Sequence, residues 1–320
     1  MASGTASNVI AGRPGVSQAK QAAVRDAALK LNYRPSSIAR ALSKRQSDMI
    51  GVLTRGFCGA YISRALDVAE RETRLAGKHI VVGSSLDRND TASHDDEALA
   101  FLDGRDCDGI LVIGGGWSEY QLAQLAARTK PIALVNRQLA LCPDISFCVD
   151  HYSAGRSIAD YLLRQGHREF AAIKGCEHFQ DATLRYKGFA EGIAAAGFAL
   201  HPQLIEEDSF GFAGGKRAAE RLLASGRSFT AICCGDDLQA IAVESVLTTA
   251  NHTAMIFGYG GWDLSDLPHT RICTVSEPVA DLVRNACACL LNACYGGDRP
   301  VIHAFPTSLI VGEAFEFPGS

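Results

Sequence analysis

The sequence predicts an α/β chain with two doubly wound parallel-sheet lobes behind a small helical, basic N-terminal segment. Three observations point there. Short β-branched runs alternate with amphipathic stretches from Met49 onward, and continuous apolar strands separated by helices call for parallel sheets covered on both faces. At 320 residues the chain exceeds the roughly 100 to 200 residues of one domain. The formal net charge is -4, yet residues 1–47 carry Arg13, Lys20, Arg25, Lys30, Arg34, Arg40, Lys44 and Arg45 against Asp26 alone. A basic arm on an acidic body is the charge footprint of a DNA-contacting module joined to something else.

The bulk composition, 47% hydrophobic and 21% charged, is that of a globular protein. No run of about 18 apolar residues suggests a membrane span. No basic start followed by an apolar stretch suggests secretion, so the expected location is the cytoplasm. The 11 cysteines are scattered through apolar runs such as "TAICCG" and read as reduced core thiols.

Taken in order, residues 5–11 form a short helix ended by Gly12 and Pro14, and Ser17 caps a helix over Ala19–Leu31 whose apolar stripe is Ala23, Val24, Ala27, Ala28 and Leu31. Pro35 breaks that helix, and Ser36 or Ser37 opens a short one running past Arg40 and Leu42. Strands follow at "MIGVLT" (49–54), "HIVVGSS" (79–85), "DGILVIG" (108–114), "PIALVN" (131–136), "FAAIKG" (170–175), "TAICCG" (230–235) and "AMIFGYG" (254–260), with helices such as "AYISRALDVAERETRLAG" and "YSAGRSIADYLLRQG" between them. A helix over 278–294 and the segment "VIHAFPTSLIVGE" return the chain to the first sheet and cross back. Two lobes joined this way leave a cleft, and open α/β sheets bind ligands beyond the carboxyl ends of their strands.

Enzymatic readings find little support. "IGGGW" (113–117) follows a strand but lacks the G-x-G-x-x-G spacing of a dinucleotide site. In "CACLLNAC" the thiols Cys287 and Cys289 are two apart, which a helix places on different faces, and no histidine completes a zinc set. His151, His167 and His178 form no nucleophile pattern, and His167 in "GHRE" fits a helix-to-strand turn. Neither catalysis, nor a metal, nor a cofactor is expected.

The order "TASNVIAG…GVS…VRDAALKLNYRPSSIARALSKRQSDMIGVL", continued by "CDGILVIG", "VDHYSAGRSIADYLLRQGHREFAAIKG", "TLRYKGFAEGIAAAG", "TAICCGDDLQAIAV" and "CTVSEP", resembles the lactose-repressor (LacI/GalR) family of bacterial transcription regulators over nearly the whole chain. The resemblance implies a partial helix-turn-helix headpiece and hinge helix over 1–47. It also implies an effector-binding core of periplasmic-binding-protein-like type I fold over 48–320, with lobe 1 at about 48–164 and 277–306 and lobe 2 at about 166–275 and 308–320. Residues Gly4 to Ala11 resemble the recognition helix that enters the major groove, without the helix that supports it. The chain as written is therefore expected to bind DNA poorly or not at all.

By that resemblance Ser3, Gly4 and Asn8 fall at base-reading places and Thr5 and Ser7 at phosphate-contacting ones; asparagine reads adenine bidentately, whereas glycine reads nothing. Leu42 matches the hinge residue wedged into the minor groove, with Arg40 beside it; its other reading is an apolar linker contact. In the cleft, Arg185 matches the arginine that reaches the ligand, and a guanidinium fork suits sugar hydroxyls or a carboxylate. Tyr61, Asp150, Asp181, Asp236 and Glu277 join it as candidate effector contacts. Asp237 reads as the cap of the following helix, and Trp262 as a lining aromatic or a loop-packing residue.

Departures matter too. Gly260 stands where many members carry an aspartate after "GY". Cys233 and Ile62 stand where purine binders carry stacking aromatics, which disfavours a purine. The implied function is a ligand-responsive transcriptional regulator, a repressor, working as a homodimer on operator DNA with a sugar or sugar acid as effector. The competing reading is a free-standing solute-binding protein of a transporter, which shares the two-lobed fold but has no use for the basic "NYRPSSIARAL" segment.

Overall fold

The computed structural model describes residues 3–10, 14–31, 33, 46–54, 56–57, 59–84, 93–103, 107–114, 117–127, 130–175, 179–261 and 272–311. Two short helices lead, α1 (Ser3–Ile10) and α2 (Gln18–Lys30), lying against each other, with Val9 and Val24 buried. Of the stripe expected on α2 only Val24 is buried, and Leu31 is 78% exposed, because α1 is too short to cover more than one turn. Ser17 sits at the N-cap position, but its side chain makes no capping bond. The short helix expected over Ser36 to Leu42, with Arg40, lies outside the described residues.

The first sheet has the order β2-β1-β3-β4-β5 and is parallel throughout: β1 (Met49–Thr54), β2 (His79–Ser84), β3 (Gly109–Ile113), β4 (Ile132–Val135) and β5 (Ser146–Phe147). Helices α3 (Ala60–Leu75), α4 (Ser93–Asp103) and α5 (Glu119–Ala126) connect these strands. Strand alternation is visible in β3: Leu111 and Ile113 enter the core on one face, and Ile110 and Val112 enter the core on the other, beside Trp117 and Leu122. Where the chain enters β1, the Asp108 carboxylate accepts the backbone N–H groups of Ser47 and Asp48, both at 2.8 Å, and the Tyr295 hydroxyl at 2.6 Å. This ties the N-terminal segment to the base of the first sheet.

The second sheet has the order β11-β10-β9-β8-β6-β7, built from β6 (Phe170–Lys174), β7 (Ile205–Glu207), β8 (Ala231–Cys234), β9 (Met255–Phe257), β10 (Ile272–Ser276) and β11 (Ser308–Ile310). Only β11 runs antiparallel, against β10. Helices α6 (His151–Arg164), α7 (Gln180–Ala195), α8 (Phe212–Ala224) and α9 (Asp237–Thr249) cover it. Helix α10 (Val279–Tyr295) goes back to the first core, where Leu282, Val283, Ala286 and Leu290 pack beside Leu111 and Val135.

All seven expected strands are present, along with four not expected as strands. The sequence reading assigned residues up to 164 to the first lobe. In the fold, α6 contributes Ala154, Ile158, Ala159 and Leu162 to the second core, against Phe170 and Phe189. The chain therefore leaves the first sheet before α6, returns with α10 and crosses again before β11.

Among the described residues the cysteines sit mostly inside: Cys107, Cys233, Cys234, Cys273 and Cys287 are buried, and Cys142, Cys148, Cys289 and Cys294 are half-buried. No helix among these residues is long and apolar enough to cross a membrane.

Candidate functional site

In each sheet the strand order reverses beside the first strand laid down, β1 in one and β6 in the other, and such switch points open a crevice at the carboxyl ends of the strands. The two crevices face one another across a cavity of about 210 Å³. The first sheet supplies Tyr61 and Ile62 at the start of α3, Gly114 after β3 and Asn136 after β4. The second supplies Phe179, Asp181 and Arg185 at the start of α7, Phe210 after β7, Asp236 and Asp237 after β8, and Tyr259 and Gly260 after β9. Glu277 and Val279 lie at the crossing into α10.

Arg185 is the hub. Its guanidinium donates to Asp181 at 3.0 Å and to the Gly235 carbonyl at 3.3 Å, and its carbon lies 4.2 Å from the centre of the Tyr259 ring, a cation–π contact. Burial alone would raise the Asp181 carboxyl, but Arg185 and His151 outweigh it and hold it below the usual carboxylate value. The helix carrying Arg185 is placed by a backbone contact. A Cβ on Gly155 of α6 would meet the Arg185 carbonyl oxygen at 2.0 Å, and one on Gly188 of α7 would meet that of Tyr152 at 2.0 Å.

A polar chain links the two sheets. His151 Nε2 lies 2.8 Å from Asn136 Oδ1, which only accepts, so Nε2 carries the proton and Nδ1 accepts from the Tyr259 hydroxyl at 3.0 Å. The Asn136 amide is left to donate to Glu277. Burial, helped by Arg185, holds the His151 imidazole down at about 4. Burial pushes the Glu277 carboxyl up to about 8, with Asp181 adding and Arg185 and Asn136 opposing. Three wall side chains keep a buried polar atom without a hydrogen-bond partner: Tyr61 Oη, Arg185 Nε and Glu277 Oε1.

These shifts give a pH signature. Unfolded Glu277 releases its proton near 4.5 and the folded carboxyl keeps it to about 8, so its stabilising contribution declines as pH rises through that window. His151 acts oppositely and lower. The unfolded imidazole takes up a proton below 6.5, the folded one only near 4, so that contribution is lost as pH falls between those values. From pH 6.5 to 8 Glu277 acts without His151. The melting temperature is expected to fall across this interval, and Glu277→Gln to flatten the decline; an undiminished slope in that variant would place the titration elsewhere.

The structure sorts the candidate effector contacts. Tyr61, Asp181, Arg185, Asp236 and Glu277 all line the cavity. Asp150 does not: it caps α6, accepting the Ser153 N–H at 2.9 Å and hydroxyl at 2.6 Å. The cap of α9 is Asp236 rather than Asp237, with its carboxylate accepting from the N–H of Gln239 at 2.6 Å and of Gly211 at 2.9 Å. Asp237 is buried and accepts from the Thr274 hydroxyl. Trp262 lies outside the described residues.

Gly260 adopts φ +132, a region disfavoured for L side chains, so an aspartate here would carry backbone strain. Ile62 lines the cavity and Cys233 does not. Aromatic surface comes instead from Phe179 and Phe210, packed edge to face at 5.2 Å, which the sequence reading did not single out; nor did it single out Asn136 and Tyr259, or His151 as a cavity-network residue. On the arm, Thr5 and Asn8 are half-buried on α1. Nothing is described of the Ser7 side chain, and Arg40 and Leu42 lie outside the described residues.

Comparisons with known proteins agree with this architecture. The family model for a periplasmic binding protein-like domain matches residues 159–315. The transcriptional regulator AscG of Escherichia coli K12 is 26% identical over 315 residues, covering 96% of this chain and 92% of its own length. The repressor PurR of Pectobacterium carotovorum is 25% identical over 311 residues, covering 95% and 90%. A LacI-family regulator from Burkholderia phymatum superimposes with a TM-score of 0.77 at 29% identity, covering 82% of this chain and 97% of that one. The lac repressor dimer bound to operator shares the fold, with a TM-score of 0.84 at 19% identity over 96% of this chain and 93% of its own. With a basic two-helix segment leading into two crossed-over sheets around one cavity, the chain is similar along nearly its whole length to transcriptional regulators of the LacI/GalR family.

Proposed function

We propose that the chain is a transcriptional repressor whose core takes up a sugar or sugar derivative in the cavity between the sheets, and which acts as a homodimer on operator DNA. The observation that carries the ligand reading is the wall itself: unsatisfied polar atoms on Tyr61, Arg185 and Glu277 beside the phenyl groups of Phe179 and Phe210. A pyranose presents hydroxyls around its edge and C–H surface on its faces, and would answer both kinds of wall. Relatives of the same fold point the same way in their own right, among them the regulator CelR, solved as a cellobiose complex, and a sugar-binding regulator from Escherichia coli.

The mechanism follows from the position of the site. A ligand touching Tyr61 and Asn136 from one sheet and Arg185 from the other favours one relative arrangement of the lobes. It changes DNA affinity only as far as it prefers that arrangement, typically by about 1 to 3 kcal/mol of coupling. The tie between Asp108 and residues 47–48 is the route by which first-lobe movement reaches the basic arm.

The test is a thermal-shift screen of the intact chain against aldohexoses, disaccharides, sugar acids and nucleosides. At one hundred times its Kd a ligand adds about 2.7 kcal/mol, a shift of several degrees. Shifts from sugars are expected; shifts from nucleosides alone would overturn the reading.

A further inference from the structure

Resting on the sugar reading of the cavity, the make-up of its wall says more about the ligand. Four carboxyl groups line it, Asp181, Asp236, Asp237 and Glu277, against two guanidiniums, Arg64 and Arg185. Arg64 is exposed, and Arg185 already serves Asp181 at 3.0 Å. Asp236 is held by the neutral N–H groups of Gln239 at 2.6 Å and Gly211 at 2.9 Å. The inner wall is thus richer in carboxyl groups than in cations.

One of these carboxyls is built to take a donor that the protein does not provide. Glu277 is 4% exposed, and its Oε1 is buried without a hydrogen-bond partner, while the Asn136 amide is left to the other oxygen. Among the described residues it takes part in no ion pair. The titratable groups within its electrostatic reach are Tyr61 at the start of α3, Cys148 after β5, Asp181 and Arg185 on α7, and Tyr259 after β9. Of these Arg185 alone is cationic. Buried carboxyl groups are ordinarily paired or fully hydrogen-bonded, and here burial keeps the proton on to about 8 instead.

Three kinds of ligand group could meet that oxygen. A sugar hydroxyl would bond it but leave the excess of carboxyls as it stands. A carboxylate would add to that excess. An ammonium group brings three donors and a positive charge together.

We propose that the effector is an amino sugar and that Glu277 is the contact that selects it, Oε1 accepting from the ammonium group while ring hydroxyls meet Arg185. The carboxyl releases its proton to solvent as the ammonium arrives. A charge-assisted hydrogen bond then replaces a neutral, half-satisfied acid.

The experiment is calorimetric titration of the full chain with D-glucose and D-galactose, with their amino-deoxy forms substituted at each ring position in turn, and with D-gluconate and D-glucuronate. The best amine is expected to bind about tenfold tighter than its neutral parent, the factor a charge-assisted hydrogen bond supplies. Glu277→Gln, which keeps the shape of the protonated acid but cannot ionise, should bring that ratio near one. Glu277→Asp, charged but shorter, should hold an intermediate ratio. A merely structural glutamate would weaken amine and parent alike and leave the ratio untouched. Amines binding no tighter than their parents, acids binding tighter than amines, or a ratio unchanged in Glu277→Gln overturns the proposal while leaving the sugar reading standing. Binding of adenosine with no sugar of any class overturns both.

Discussion

Replacing Arg185 with alanine is expected to abolish effector binding and to lower stability by about 3 to 5 kcal/mol, the usual result of removing one partner of a buried ion pair. The pair qualifies: the Arg185 side chain is 9% exposed and that of Asp181 18%. Deleting the guanidinium strands the Asp181 carboxylate, withdraws the donor to the Gly235 carbonyl and uncovers the Tyr259 ring in one step. Denaturant unfolding checks the stability effect, and titration with the best ligand from the screen checks the affinity. The double variant with Asp181→Asn should recover part of the lost stability, since no charge is then stranded, without recovering binding. A single variant with unchanged affinity would remove Arg185 from the site.

Gly155→Ala is expected to act on the same arginine from a different helix. The added methyl would lie 2.0 Å from the Arg185 carbonyl oxygen and 3.0 Å from the Phe189 nitrogen, so α6 and α7 must separate where their backbones now touch. Overpacking of this kind costs about 1 to 3 kcal/mol. It also carries Arg185 away from the Gly235 carbonyl and the Tyr259 ring, so ligand affinity should fall together with the melting temperature. Retention of both would show that the helix crossing can relax without moving the guanidinium.

How much of this the sequence disclosed differs between fold and site. Runs such as "DGILVIG" and "FAAIKG" are apolar on both faces and mark central parallel strands, and each lies where it was expected. Strands β5, β7 and β11 escaped because two or three residues at a sheet edge carry no periodicity, and β7 reads "IEE". The stripe of α6 was plain, but a stripe does not say which sheet it will cover, and only packing places Ile158 and Leu162 on the second.

In the site, Asp181, Arg185 and Glu277 were legible through resemblance. Asn136, His151 and Tyr259 stand far apart in sequence and meet only because three strand ends converge. Asp236 and Asp237 are neighbours with the same chemistry. The register of α9 alone decides that the first caps the helix and the second bonds Thr274.

The central claim is that one small molecule is held by both sheets at once. Hydrogen exchange measured by mass spectrometry, with and without the sugar derivative giving the largest thermal shift, tests it most directly. The account predicts slower exchange in two separated groups of peptides. One spans the start of α3 and the end of β4, around Tyr61 and Asn136; the other spans the starts of α7 and α9, around Arg185 and Asp236. Protection confined to peptides of a single sheet, or absent from both at saturating ligand, would contradict it.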